Sequence, residues 1–290
     1  MPSLPKKIEP GYIRPPIYER VAVFKVDLPE EKFEIFRDSW LELVSEDFPD
    51  YKPEPLWTFS VESNDSGIPR LRNSRPELQI KHWSRKTLEN GKGRNVIRVR
   101  PNDEGDSGFL SINLIGSTKD RRKYDQLRDL AEKWLPRFIA HFEIDDLEGV
   151  GLHYVNRIRS DWTPEFASIE KGVDIGRVIV LFGSIPVQSE SLIAPFDCNV
   201  GLMIDSSVPC SAKIRVLAEE PVYDEKTGHQ KLSIGVKVDI IVSRFSKERK
   251  LDAKDAISDM DAAHSVVLEV FEGIFSEEAK EVFRTQAPSK

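Results

Sequence analysis

In the stretch Leu232–Ser243, apolar residues occupy every second position without a break: Leu232, Ile234, Val236, Val238, Ile240 and Val242. Successive strand side chains point to opposite faces of a sheet. The run therefore predicts a long strand with one buried face, and with it an antiparallel sheet covered on one side. A chain built this way must carry amphipathic helices to cover that side, and the periodicity supplies them.

Gly149–Arg159 has the same alternation near the sequence midpoint. Val150, Leu152, Tyr154, Asn156 and Ile158 share one face; Gly151, His153, Val155, Arg157 and Arg159 share the other. Asn156 is the one polar residue on the apolar face. A buried amide without partners costs about 1–3 kcal/mol, so Asn156 either pins a neighbouring segment or, with His153 and Arg157, lines a pocket or a contact between two halves.

The rest of the chain falls on either side of this strand. Val21–Val26, Leu56–Glu62, Phe109–Ile115 and Asn199–Asp205 read as strands. Leu78–Lys86 and Asn95–Arg100 read as a hairpin whose link, Glu89 to Gly93, has the glycines that positive φ requires. Lys213–Ala218 reads as a strand joined to Leu232–Ser243 by a loop containing Asp224 to Gly228. Asn64–Asn73 reads as a polar loop, and Trp162–Glu165 as a helix start with Thr163 as cap. Helical apolar stripes run through Phe33, Phe36, Trp40, Leu43 and Val44, through Tyr124, Leu127, Leu130 or Ala131, Trp134, Phe138 and Phe142, and through Ile257, Met260, His264, Val267, Leu268, Phe271 and Ile274. Ser276 is placed to cap a short last helix.

Strands in runs bracketed by helices argue α+β rather than alternating βαβ units. The expected architecture is two pseudo-similar halves, each a mainly antiparallel sheet with helices packed on one face. Residues 1–16 form an extended lead-in, 17–146 an N-terminal half, 147–284 a C-terminal half ending in a long helix, and 285–290 a tail.

Composition limits the function classes. The net charge is −7 over 290 residues, so bulk electrostatics give no reason for a nucleic-acid or anionic-membrane partner. Two cysteines, Cys198 and Cys210, make no disulfide framework, and the opening MPSLPKKIEP lacks an apolar signal core. The longest apolar run, Val178–Phe182, is too short to span a bilayer. The expectation is a cytoplasmic protein with no membrane partner.

Motifs for chemistry are absent. Gly149–Gly151 and Gly91–Arg94 do not form a phosphate-binding loop between strand and helix. No nucleophile elbow occurs. The five histidines show no metal spacing, so no metal, cofactor or catalytic residue is assigned. His264 reads as a packed histidine, and Asp252, Asp255 and Asp259 as a solvated helix start favoured by the dipole.

One local feature runs against the overall charge. Between Ile68 and Lys123 there are fourteen Lys or Arg and six Asp or Glu, an excess of +8. Much of it lies on the hairpin, at Lys81, Arg85, Lys86, Arg94, Arg98 and Arg100, with His82 and Trp83 between them. A basic sheet face with aromatics suits nucleic acid or another polyanion. It equally suits a solvated outer face or contact with an acidic region of a second copy.

Three separated pieces together carry a resemblance: Pro15-Pro16-Ile17-Tyr18-Glu19, the stretch Gly151-Leu152-His153-Tyr154-Val155-Asn156-Arg157-Ile158, and the terminal residues Asp261, His264, Phe271, Ile274, Ala279, Lys280 and Phe283. The chain resembles the sporadically distributed, uncharacterised family of bacterial and archaeal proteins whose central motif reads roughly Gly-Leu-Arg-Tyr-Ile-Asn-Arg-Ile. His153 and Val155 depart from that pattern. The resemblance implies no activity; its sporadic distribution implies an accessory gene of the mobile or defence kind. The function expected is a non-catalytic binding or accessory module with a protein partner or self-association. Nucleic-acid or nucleotide binding through the basic hairpin, and an unrecognised enzyme, are the alternatives.

Overall fold

The structure is a computed structural model. It describes residues 12, 16–56, 59–63, 69–73, 77–83, 94–102, 107–116, 123–169, 172–180, 197–204, 210–219, 222–223, 231–245 and 248–285. For 51–56, 59–63, 69–73 and 77–83 only the backbone course is described. Most of the lead-in, the hairpin link, Arg85, Lys86 and the end of the tail lie outside the described residues, as does the side chain of Lys81.

The first strand, β1 (Ile17–Val26), is the central strand of the sheet. It is followed by helix α1 (Glu30–Val44) and by β2 (Asp50–Leu56), β3 (Phe59–Ser63), β4 (Pro69–Asn73), β5 (Glu77–Trp83), β6 (Arg94–Arg100) and β7 (Gly108–Ile115). Helix α2 (Tyr124–His141) then leads to β8 (Leu147–Arg159), the midpoint strand. Short pieces β9 (Ala167–Ser168), β10 (Gly172–Val173) and α3 (Ile175–Val178) precede β11 (Asp197–Ile204), β12 (Cys210–Ala218), β13 (Val222–Tyr223), β14 (Lys231–Ser233) and β15 (Gly235–Phe245). The described chain closes on α4 (Ala253–Ile274) and α5 (Glu277–Arg284).

Nine strands form one antiparallel sheet in the order β11-β12-β15-β8-β1-β7-β6-β5-β2. The fold is α+β. Pro53 and Pro55 fall in β2, the sheet edge, where a residue without an N–H costs least. Three expectations differ in detail. The stretch Leu232–Ser243 is divided at Ile234, its start lying in β14, which pairs with β13, and the rest in β15. The polar stretch Asn64–Asn73 ends in strand β4. Thr163 starts no helix, because its hydroxyl bonds the backbone N–H and carbonyl of Arg159 and closes a turn instead.

One face of the sheet is the core. Ala22, Phe24, Ile112, Leu152, Tyr154, Val238 and Ile240 are wholly buried on it. Helix α2 packs over β7 and β1, and α4 packs over β8, β15 and α2. Helix α1 closes on α2 through rings: Trp40 lies edge-on to Trp134 at 6.1 Å and to Phe138 at 5.6 Å, and Phe33 stacks on Phe142 at 6.2 Å. Burying aromatics of this size contributes about 2–3 kcal/mol each. Helix α5 is started by Ser276, whose hydroxyl accepts from Ala279 N at 3.0 Å. Its Phe283 packs on Phe271 and Phe275. No described helix packs on the other face of the sheet.

Candidate functional site

Two groups of polar residues stand out, one on each face. The first is buried beneath the helices. Arg20 and Tyr154 are cross-strand partners on β1 and β8, and the Arg20 guanidinium lies 5.2 Å from the Tyr154 ring centre. The Tyr154 hydroxyl is 2.8 Å from His264 Nδ1 on α4. The His264 ring stacks on Tyr124 of α2, with centres 3.7 Å apart and planes 8° from parallel. The Tyr124 hydroxyl donates to Asp261 at 2.8 Å, and Arg128 Nε donates to the same carboxylate at 3.0 Å. Asp261 and His264 are one helical turn apart, which is why one helix can hold both.

This chain links two strands and two helices, running from buried Arg20, Tyr154, His264 and Tyr124 to partly exposed Asp261 and Arg128. Tyr154 is fully buried and His264 is 6% exposed. Burial, then the charge of Arg20, pushes the His264 imidazole down to about 4, against the opposing pull of Asp261. Burial and the Asp261 carboxylate push the Tyr124 hydroxyl well above its usual value. Neutral His264 and neutral Tyr124 make the group a structural brace.

The second group lies on the face on which no described helix packs. On β8 and β15 its charges are matched. His153 Nε2 is 3.2 Å from Asp239, which also meets Lys237 Nζ at 3.2 Å. Burial acts to raise the Asp239 carboxyl, but the contacts with His153 and then Lys237 hold it below the usual range. Arg157 Nε pairs with Glu219 at 2.7 Å, and Arg159 with Asp161 at 2.9 Å. Burial raises the Glu219 carboxyl in spite of the arginines beside it.

On β6, Arg98 and Arg100 differ from these residues. Ile97 and Val99 pair with Ile112 and Leu110 and enter the core, so Arg94, Arg98 and Arg100 project from the other face. Arg98 Nε and Arg100 Nε are buried with no hydrogen-bond acceptor. Neither arginine has a carboxylate partner among the described residues. Arg100 instead lies over the Phe109 ring at 4.7 Å. Lys81 on β5 is the register partner of Arg98.

The residues singled out at the midpoint separate by face. Asn156, fully buried, donates through Nδ2 to the carbonyls of Val238 at 3.0 Å and Tyr154 at 3.4 Å, while its Oδ1 finds no donor. Its side chain thus ties β8 to β15. Arg157 reaches the other way, its guanidinium 3.7 Å from the Tyr18 ring centre. Tyr18 is the extra residue of a bulge in β1, between the pairs Ile17↔Asn156 and Glu19↔Val155. The three pieces that carried the resemblance meet here: Arg157 N donates to Pro16 O at 2.8 Å, and Tyr154 meets His264.

The glycines Gly149 and Gly151 serve packing. A Cβ at Gly149 would come within 2.2 Å of the Arg244 carbonyl, and its φ is +149°. Asp259, read as solvated, is buried between Arg244 at 3.5 Å and Arg249. Among the described residues no group of three His, Cys, Asp or Glu is placed to hold a metal, and no helix is long and apolar enough to cross a membrane. Sequence reasoning missed Arg20, Lys25, Phe109 and Phe245. Phe245 sits at an odd position just past the even-numbered apolar run, and that parity was the available signal.

No family model and no curated protein matches the chain. Among solved structures it is similar to DynU16, a protein described as lying in the dynemicin biosynthetic locus. That match has 11% identity, covers 91% of this chain and 99% of the other, and has a TM-score of 0.20. So slight a likeness carries no argument.

Proposed function

We propose that the chain is a non-catalytic binding module that holds a polyanionic macromolecule, nucleic acid, on the sheet face that carries Arg98 and Arg100. The observation that carries this reading is the contrast between β6 and β8. Arg157 and Arg159 each have a carboxylate, whereas Arg98 and Arg100 have none among the described residues. A phosphate would supply the missing acceptor, and charge-assisted bonds of this kind are about twice as strong as neutral ones. Asn156 uses its amide hydrogens on backbone carbonyls and Arg157 pairs with Glu219, which supports the non-catalytic side of the proposal.

The test is retention on heparin as a function of salt. Each phosphate-like contact adds about 0.7–0.9 to the slope of log affinity against log salt. Arg98→Glu with Arg100→Glu should lower that slope by about 1.5–2. Unchanged retention in the double variant overturns the reading.

A protein partner is the second reading, favoured by α1. Ile35 is 75% exposed and Leu43 lies two turns along the same side, among Glu31, Glu34, Asp38 and Glu42. Sedimentation of the wild type and of Ile35→Glu with Leu43→Glu would expose self-association through this stripe. For the fold, we propose two related halves in a cytoplasmic protein. The strand orders β1-β7-β6-β5, leading to α2, and β8-β15-β12-β11, leading to α4, support the first of these. Membership of the sporadic bacterial and archaeal family is proposed with it, supported by the meeting of its three motif pieces in space.

A further inference from the structure

We infer that the polyanion is a single-stranded nucleic acid whose bases stack on a row of aromatic and basic side chains crossing the sheet. The inference rests on the polyanion reading of the Arg98 face and names its ligand more narrowly. The row is set by register. Arg100 on β6 pairs with Phe109 on β7, Phe109 with Lys25 on β1, Lys25 with Gly149 on β8, and Gly149 with Phe245 on β15. All five positions share the face that carries Arg98.

The side chains of the row are gathered. The rings of Phe109 and Phe245, three strands apart in the sheet, have centres 6.4 Å apart at 60°. They reach each other because Gly149 and Gly151 leave the space between them empty. A Cβ on Gly151 would stand 3.0 Å from Phe245 Cζ, so the ring lies over the strand where a side chain would otherwise be. Both rings keep part of their surface in solvent. Arg100 stands 4.7 Å from the Phe109 centre and Lys25 Nζ stands 6.0 Å from the Phe245 centre.

This combination separates the polyanions. Arg98 and Arg100 can meet phosphates of any chain, whereas Lys25 Nζ is already paired with Glu148 at 3.2 Å and lines the row beside Phe245. Partly exposed rings, with a guanidinium 4.7 Å from the centre of one of them, suit a ligand with free π-faces. Bases in a duplex are stacked on each other and offer none, whereas every base of a single strand does. Arg98 and Arg100 are two residues apart on one strand face, about 7 Å, a spacing that lets one chain of phosphates meet both.

The test uses the wild-type chain and four probes at low salt: oligothymidylate, the same strand in a duplex, an abasic phosphodiester backbone of equal length, and heparin. Expected is oligothymidylate binding about tenfold or more tighter than the abasic backbone, and tighter than the duplex. Phe109→Leu with Phe245→Leu, which keeps the apolar bulk, should remove that advantage and leave heparin retention unchanged. Equal affinity for oligothymidylate and the abasic backbone, or tighter duplex binding, overturns the inference while leaving the polyanion reading standing. Failure of all four probes, heparin included, overturns the polyanion reading itself. Because the abasic comparison needs no substitution, a variant that fails to fold leaves the test intact.

Discussion

Removing the ionisable ring of His264 changes how stability depends on pH. In the folded chain this imidazole titrates at about 4, and unfolding returns it to about 6.5. Its folded value is lowered, so below pH 6.5 the unfolded chain binds a proton that the folded chain refuses. Stability is therefore lost as pH falls from about 6.5 towards 4. A gap of about 2.5 pH units corresponds to about 3 kcal/mol when fully expressed, of which about 2 kcal/mol is already lost at pH 5. Glu219 works in the opposite direction, because a carboxyl raised by burial becomes less costly as pH falls. The clean comparison is thus between wild type and His264→Gln, which keeps a hydrogen-bonding group near Tyr154 and cannot take the proton. Urea midpoints at pH 7 and pH 5 measure it. The wild type should lose about 2 kcal/mol more than the variant over that interval. Equal losses would refute the claim that a neutral, buried His264 braces the two strands and two helices.

Gly149→Ala should destabilise by about 3 kcal/mol, because it combines positive φ with overlap against the Arg244 carbonyl; a denaturant midpoint within experimental error of wild type would contradict this. Ser276→Ala should cost about 1 kcal/mol by removing the cap of α5, visible as a lower Tm. Trp40→Ala should cost about 3–5 kcal/mol, since the indole is fully buried between α1 and α2. Amide exchange in the variant should show whether α1 detaches while the sheet stays protected.

The sequence showed elements and faces well where one face is buried and one is not. In β15 as far as Val242, and in β8 apart from Asn156, every second residue is apolar, and the same parity separates core from surface in the structure. Register is a different matter. Nothing local in Ile17–Val26 says that it lies between β7 and β8 at the centre of the sheet, because that placement depends on pairings over a hundred residues apart. The turn at Thr163 was misread since a hydroxyl that can cap a helix can equally bond the backbone behind it. The brace around His264 was half legible: the histidine was seen as packed, but Tyr124 counted only as an apolar stripe residue and Arg20 was passed over. On the basic face, charge density pointed to β6, while Phe109, Lys25 and Phe245 came together only through register.

The central claim is that the sheet face carrying Arg98, Phe109 and Phe245 is the binding surface. Ultraviolet cross-linking of the wild-type chain to an oligothymidylate strand, followed by peptide mapping, tests it directly. Adducts should fall on the peptides carrying Arg98, Phe109 and Phe245, on β6, β7 and β15. Adducts confined to α1, α4 or α5, on the opposite side of the sheet, would contradict it.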